Sequence, residues 1–217
     1  MRVKVAGNET TTGVPEVVIL RLPLYVRTLS QLLAQGTDVI SSQQLGSRLQ
    51  VTPAQIRKDL CYFGRFGKQG RGYVVRHLLE ELKAILGLDR EWNVALVGVG
   101  RLGRAIIGYP GFGPEGFRVV AAFDTDPEAV GQPAGTLTVQ PMEVLEETIQ
   151  ASQLRIAIVA VPASHCQAVI DHLVRCGIKA ILNYAPTSPQ VPAGVKIRNI
   201  DPVLALQSMT HYLLASG

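Results

Sequence analysis

Residues 94–103 read Val-Ala-Leu-Val-Gly-Val-Gly-Arg-Leu-Gly, and few ten-residue stretches leave a chain so little choice of fold. An unbroken apolar run such as Val94 to Val97 suits a strand buried on both faces, the habit of parallel sheets packed between helices. The run passes directly into glycines spaced GxGxxG, and helix-compatible Arg104-Ala105-Ile106-Ile107 follows. A second strand is expected over residues 118–123. It ends in Asp124, 21 residues after Gly103.

Strand, glycine turn, helix, strand and terminal acid together form the dinucleotide-binding fingerprint of a Rossmann-like unit. Gly98 permits the tight turn, Gly100 lets the backbone approach a pyrophosphate, and Gly103 lets helix and strand pack closely. Val99, Arg101 and Leu102 complete a loop whose backbone N–H groups face the phosphates at the helix N-terminus. Asp124 is placed to accept bonds from the adenosine ribose hydroxyls and would repel a 2′-phosphate. Thr125 and Asp126 follow, with no arginine to neutralise that phosphate, so NADH and NAD+ are favoured over their phosphorylated forms. A Rossmann-like unit that binds coenzyme A is the competing reading of the same pattern.

The remainder of the C-terminal half alternates accordingly. Strands are expected over 137–139, 156–161, 180–182 and 195–200, and helices over 142–149 and 165–175. Ligands bind beyond the carboxyl ends of such strands, which draws in Pro162 and, from Asn183-Tyr184-Ala185-Pro186, Asn183 and Ala185. Asp201-Pro202 then caps a helix to residue 214. Its Val203, Leu204, Leu206, Met209, Tyr212, Leu213 and Leu214 surround more of the cylinder than one sheet face can bury, so a second subunit is expected to cover it.

The N-terminal half has a different grammar. Pro15 opens a helix whose Val17, Val18, Leu22, Leu24, Tyr25, Leu29, Leu32 and Leu33 recur roughly at helical spacing until Gly36. Ser41 or Ser42 caps a short second helix through Leu45 and Leu49. In Thr52-Pro53-Ala54-Gln55, Thr52 suits the N-cap, Pro53 the first helical position and Gln55 the third position of a capping box. This helix is expected to run over 53–63, burying Ile56, Leu60 and Phe63.

A helix-turn-helix within about residues 24–63 follows, with 53–63 as its recognition helix. Thr52, Gln55, Arg57, Lys58 and Tyr62 are its candidate DNA contacts; a helical hairpin with solvated charges is the plainer alternative. Residues 64–73 interleave glycine, base and aromatic. They are expected to form a tight ribbon, a wing with Lys68 and Arg71 near its tip on the phosphate backbone. A helix over 75–86 and Gly87 bring the boundary to about residue 90.

Charge supports this division. Residues 1–90 carry 13 Lys and Arg against 7 Asp and Glu, whereas residues 91–217 carry 8 against 10. Between residues 57 and 76 six bases stand with Asp59 as the only acid. That excess fits a nucleic-acid-binding half joined to a slightly acidic one. The chain begins Met1-Arg2-Val3-Lys4 without an apolar leader, and no apolar run approaches the ~20 residues of a bilayer span. The expectation is a cytoplasmic protein without a membrane partner. Cys61, Cys166 and Cys176 have no metal-ligand spacing, so neither a metal site nor a disulfide is expected.

Several of these segments together resemble the Rex family of redox-sensing transcriptional repressors. They are Thr52 to Gly64, the glycine wing to Tyr73, Ala95 to Gly103, Tyr109-Pro110-Gly111-Phe112, Phe123-Asp124-Thr125-Asp126-Pro127 and Ile181-Leu182-Asn183-Tyr184-Ala185-Pro186. The likeness extends in order from residue 15 to about 214. It implies an α/β architecture: an N-terminal winged helix-turn-helix domain (15–90), a Rossmann-like parallel-sheet domain (91–200) and a domain-swapped C-terminal helix (201–217).

It also implies a homodimer that binds an inverted-repeat operator when NADH is scarce and leaves it when NADH accumulates. By position, Arg27, Tyr109 and Asp201 look like the family's switch residues, with Asp201 pairing with Arg27 or turning to Tyr109, itself expected among the cofactor contacts beside the nicotinamide. Two departures stand out. Residues 1–14 form an extension expected to lack ordered structure, and Pro202 stands where relatives carry a bulky apolar residue.

An NAD-dependent oxidoreductase is the rival from another class, and His165, just after Pro162, is the base it would need. Residues 91–217 are consumed by the sheet and the last helix, however, and no catalytic domain remains. A sensor rather than an enzyme is the expectation; a coenzyme A-responsive regulator is the third reading.

Overall fold

The computed structural model describes residues 13–67 and 71–215. Lys68 and most of the N-terminal extension lie outside the described residues. The chain divides between Arg90 and Glu91 into two compact units.

In the first unit Pro15 caps, rather than opens, helix α1 (Glu16–Ala34). Val18, Leu22, Tyr25, Val26, Leu29 and Leu32 form its buried stripe. The apolar run is broader than that stripe: Val17, Leu20 and Leu24 stay exposed. Pro23 lies inside the helix on the exposed side, where a carbonyl freed from the helical ladder can meet water. By length and composition α1 could cross a membrane, yet its stripe packs into this unit's core, as a core helix does.

Strand β1 (Val39–Ile40) leads to α2 (Ser42–Leu49), capped by Ser41 in a reciprocal box with Gln44. Left-handed Gln50 turns the chain into α3 (Pro53–Cys61). That helix ends before Phe63, short of expectation. Thr52 accepts the Gln55 N–H at 3.2 Å, but the Gln55 side chain does not close a box, because it turns to Asp59 instead.

Strand β2 (Tyr73–Val74) pairs antiparallel with distant β1, so the described end of the glycine-rich segment joins a strand from earlier in the chain. Helix α4 (Val75–Leu86) closes the unit at left-handed Gly87.

The second unit is a seven-stranded sheet. Its strands are β3 (Trp92–Val97), β4 (Phe117–Asp124), β5 (Pro133–Ala134), β6 (Leu137–Pro141), β7 (Ile156–Val159), β8 (Ala180–Asn183) and β9 (Lys196–Asn199). They lie in the order β5-β6-β4-β3-β7-β8-β9. All neighbours are parallel except β5, which pairs antiparallel with β6 in a hairpin that residue pattern does not announce.

Helix α5 (Arg101–Ile107) packs on one face through Ile106. Helices α6 (Leu145–Ala151) and α7 (Ala163–Arg175) cover the other through Leu145, Ile149, Cys166, Ile170 and Leu173. The chain runs outward from β3 through β4 and β6, then returns to β7, which leaves a crevice between β3 and β7 at their carboxyl ends. Last comes α8 (Pro202–Ala215), whose Val203, Leu204, Leu206, Met209, Tyr212, Leu213 and Leu214 are all more than half exposed.

Candidate dinucleotide site and nucleic-acid interface

The glycine loop occupies the carboxyl end of β3, and two of its glycines are sterically obligatory. Gly98 has φ +94°, and a Cβ there would lie 2.6 Å from the Ala160 carbonyl oxygen. A Cβ on Gly103 would overlap the Gly98 carbonyl, so α5 can lie against the turn only with glycine at 103. Gly100 is the opposite case. Its Cβ would meet nothing within 4 Å, which leaves its backbone open on the cavity side.

Asp124, at the end of β4, is held in place by three backbone donors. Its Oδ2 accepts the Val99 N–H at 2.6 Å, and its Oδ1 accepts those of Thr125 at 2.7 Å and Asp126 at 3.0 Å. The carboxylate is therefore locked beside the loop before any ligand arrives.

These groups open on a cavity of about 760 Å³ across the β3–β7 crevice, a size normal for small-molecule sites. The structure brings together here Gly98, Gly100, Arg101, Leu102, Asp124 and Pro162 of the expected set, with Val99 and Gly103 buried just behind. An open glycine backbone beside a fixed carboxylate is the donor and acceptor set that a dinucleotide's pyrophosphate and ribose require.

Asn183 and Ala185 depart from expectation: both are buried, and neither lines the cavity. The Asn183 amide donates to the Ala185 and Thr187 carbonyls and to Asn199, while its oxygen accepts from Ala185 N–H and the Cys166 thiol. Asn183 thus staples the loop that presents Tyr184 and Pro186, which do line the cavity. His165, Val169 and His172, from one face of α7, and Met142 line it too. The spacing of four and seven residues on one helix was the signal for them.

Tyr109, expected among the cofactor contacts, lies outside this wall. It is 55% exposed, with its ring edge-on to Phe112 at 5.1 Å and seated over Gly111. Among the described residues no group of three His, Cys, Asp or Glu is arranged to hold a metal ion. Cys61 is exposed, and Cys166 and Cys176 are buried as free thiols.

In the first unit the exposed face of α3 carries Lys58, Tyr62 is exposed at its end, and Arg71 is exposed before β2. Arg57 is exposed but tethered, its guanidinium donating to Ser42 Oγ at 3.0 Å. Gln55 departs further. Its amide donates inward to Asp59 Oδ1 at 2.7 Å, which points the side chain away from the Thr52 backbone.

Asp59 is the residue that pattern alone misplaces. It is fully buried and takes Arg21 Nε at 2.6 Å, Arg21 Nη2 at 2.7 Å and Tyr25 Oη at 2.6 Å besides Gln55. Burial alone would raise its carboxyl, but the hydrogen bonds from Arg21, Tyr25 and Gln55 outweigh it and hold the group below the ordinary carboxylate value. The same contact raises the Arg21 guanidinium, which stays charged.

The comparisons with known proteins fall on the same two units. A family profile described as "Putative DNA-binding protein N-terminus" matches residues 13–61, and one described as "CoA binding domain" matches residues 89–187. A redox-sensing transcriptional repressor Rex from a Roseiflexus species is 55% identical over 199 residues, 92% of this chain and 90% of the relative. The Rex of Streptomyces coelicolor is 40% identical over 92% of this chain and 78% of its own. The chain belongs to the Rex family.

Solved Rex structures agree with the whole architecture. The repressor RSP in complex with β-NAD+ and operator DNA matches with a TM-score of 0.88 at 38% identity, over 94% of both chains. RSP with β-NADH matches with 0.85 at 36% identity, over 96% of this chain and 97% of that one. Rex proteins are redox-sensing transcriptional repressors, so their Rossmann-like domain serves sensing and not turnover.

Of the switch residues implied by the Rex likeness, Arg27 is exposed three residues beyond Leu24 on α1, and Asp201 accepts the Val203 N–H at 2.9 Å at the start of α8. Pro202 occupies the first helical position, where its missing N–H breaks no helical bond.

Proposed function

We propose that this Rex chain acts in the cytoplasm as a homodimer that represses transcription from an inverted-repeat operator while NADH is scarce. It releases the operator when NADH accumulates. The observation that carries this reading is the open Gly100 backbone beside an Asp124 carboxylate already fixed to the loop, in a chain that also holds a winged helix. Residues 98–103 would hold the pyrophosphate and Asp124 the adenosine ribose.

The far wall, from Ala160 and Val161 to Tyr184 and Pro186, is mostly apolar. It suits the uncharged reduced nicotinamide better than the positively charged oxidised ring. NAD(H) is preferred over coenzyme A because the fixed carboxylate would meet a ribose phosphate with repulsion.

Lys58 and Tyr62 would face the major groove, and Arg57, Lys68 and Arg71 the phosphates, with Thr52 and Gln55 shaping the front of the recognition helix. Two exposed apolar surfaces support a dimer in which α8 is exchanged. Helix α8 is apolar all round, and Val17, Leu20 and Leu24 form an uncovered stripe on α1 that Arg27 continues. Asp201 would then pair with Arg27 of the other subunit in the operator-bound state and turn toward Tyr109 in the released one.

A gel shift on an inverted-repeat operator, titrated separately with NADH, NAD+ and acetyl-coenzyme A, tests this. Release by NADH at concentrations where the other two leave the complex intact is expected. Release by the coenzyme A ester alone, or turnover of NADH with carbonyl substrates, would overturn it.

A further inference from the structure

We infer that the Arg21–Asp59–Tyr25 cluster couples α1 to the recognition helix, acting as a positioning device for DNA binding beyond its share in holding the fold. Asp59 directly follows Lys58 on α3, yet its carboxylate is fully buried and saturated by four hydrogen bonds. Arg21 and Tyr25 stand one turn apart on α1 and grip it from one side.

Helix α3 otherwise packs chiefly on α2. The cluster is thus the polar tie between α3 and α1. Apolar side chains alone would hold the two helices together while letting them slide, because dispersion and burial are not directional. A guanidinium fork on a carboxylate has a single good geometry, and the Tyr25 hydroxyl fixes a third direction. The tie therefore sets register, the best-attested use of a buried ion pair. It also turns the one acid of the basic segment away from the DNA-facing surface.

Arg27 lies six residues beyond Arg21 on α1, about 9 Å by helical rise. A displacement imposed at Arg27 reaches Lys58 through a rod and a fork rather than through a compliant core. This inference rests on the reading that NADH acts through α1.

The decisive quantity is the ratio of operator Kd with saturating NADH to that without it, measured by fluorescence anisotropy. NADH affinity of the DNA-free protein is measured beside it. Tyr25→Phe removes one bond and keeps the ring. The double variant Arg21→Met with Asp59→Leu keeps packing and removes the register. In both, the ratio should fall at least fivefold toward one while NADH affinity stays within twofold of wild type.

A merely structural cluster would weaken operator binding by the same factor with and without NADH, leaving the ratio at its wild-type value; that outcome overturns the inference. A wild-type protein whose operator binding ignores NADH would instead remove the reading on which the inference stands. The mild Tyr25→Phe arm decides the matter if the double variant does not fold.

Discussion

Replacing Asp124 by Asn changes almost no volume and removes one charge, so its consequences can be worked out bond by bond. The wild-type carboxylate accepts from Val99, Thr125 and Asp126 backbone N–H groups. In Asp124→Asn the side-chain oxygen can keep the two bonds to Thr125 and Asp126, but the new amide then points a donor at the Val99 N–H. Losing that loop tie costs about 1 kcal/mol. Ribose hydroxyls that donated to a charged acceptor now meet a neutral one, a further loss of about 1–2 kcal/mol. NADH affinity should therefore fall by about 2–3 kcal/mol, or roughly 30- to 150-fold.

NADPH has a different balance. A 2′-phosphate 4 Å from a carboxylate is repelled by about 4 kcal/mol per charge pair at an effective dielectric of 20, and solvent at this half-exposed site reduces that to about 1–2 kcal/mol. Removing the repulsion offsets what the ribose loses but not the loop tie, so NADPH affinity should fall by only about 1 kcal/mol and the preference for NADH should narrow by about 1–2 kcal/mol, roughly 5- to 30-fold. Calorimetric titration of both nucleotides into both proteins measures the four constants. Equal wild-type affinities, or equal weakening of both nucleotides by the substitution, would refute the charge argument and leave Asp124 only its loop contact.

Gly103→Ala forces a methyl group into the Gly98 carbonyl and should abolish calorimetric NADH binding while leaving operator binding intact and insensitive to NADH. Lys58→Ala should relax base preference, costing about 1–3 kcal/mol on the best operator, whereas Arg71→Ala should weaken all sequences alike and lower the salt slope by about one per subunit. Asp59→Asn should destabilise the first unit by about 3 kcal/mol in chemical denaturation at pH 7. Because the native Asp59 carboxyl lies below its unfolded value, its contribution is complete above about pH 3.9 and fades as pH falls through the depressed native value. The gap between wild type and Asp59→Asn should accordingly shrink in acid, and a gap that stays constant from pH 7 to pH 3 would contradict the assignment.

Local chemistry made most of the scaffold legible. A glycine that must adopt φ +94°, a threonine-proline helix start and an all-apolar strand act through their immediate neighbours, so spacing in the chain is enough to read them. What stayed hidden depends on partners far along the chain. Asp59 reads as one more surface charge until Arg21, 38 residues earlier, turns it inward. Gln55 follows it and leaves the capping box to Ser41 and Gln44.

The two-residue strands β1 and β2 are too short to show alternation, so their pairing is settled by tertiary contact. Asn183 and Ala185 lie where ligands bind in such sheets, but a buried amide with five hydrogen bonds to four residues holds a loop and leaves the cavity to its neighbours.

The same bookkeeping of bonds separates what holds still from what the proposed switch moves. Asp124 has three donors and Asp59 four, and such saturated carboxylates tolerate one arrangement only. Asp201, by contrast, accepts the Val203 backbone N–H at the helix start, Tyr109 leans on Phe112 with its ring in solvent, and Arg27 is exposed. A protein that must be stable in two arrangements needs parts of this second kind.

Their polar contacts cannot drive the change alone. Shifting a population from 1:99 to 99:1 takes about 5.5 kcal/mol of differential affinity, and a neutral hydrogen bond supplies about 1 kcal/mol. Burying one exposed leucine supplies about 1.5–3 kcal/mol. On the proposed exchange of α8, two or three of Leu204, Leu206, Leu213 and Leu214, differently covered in the two states, meet the requirement. The Asp201 and Tyr109 contacts then select which arrangement those leucines favour, and the leucines supply the free energy.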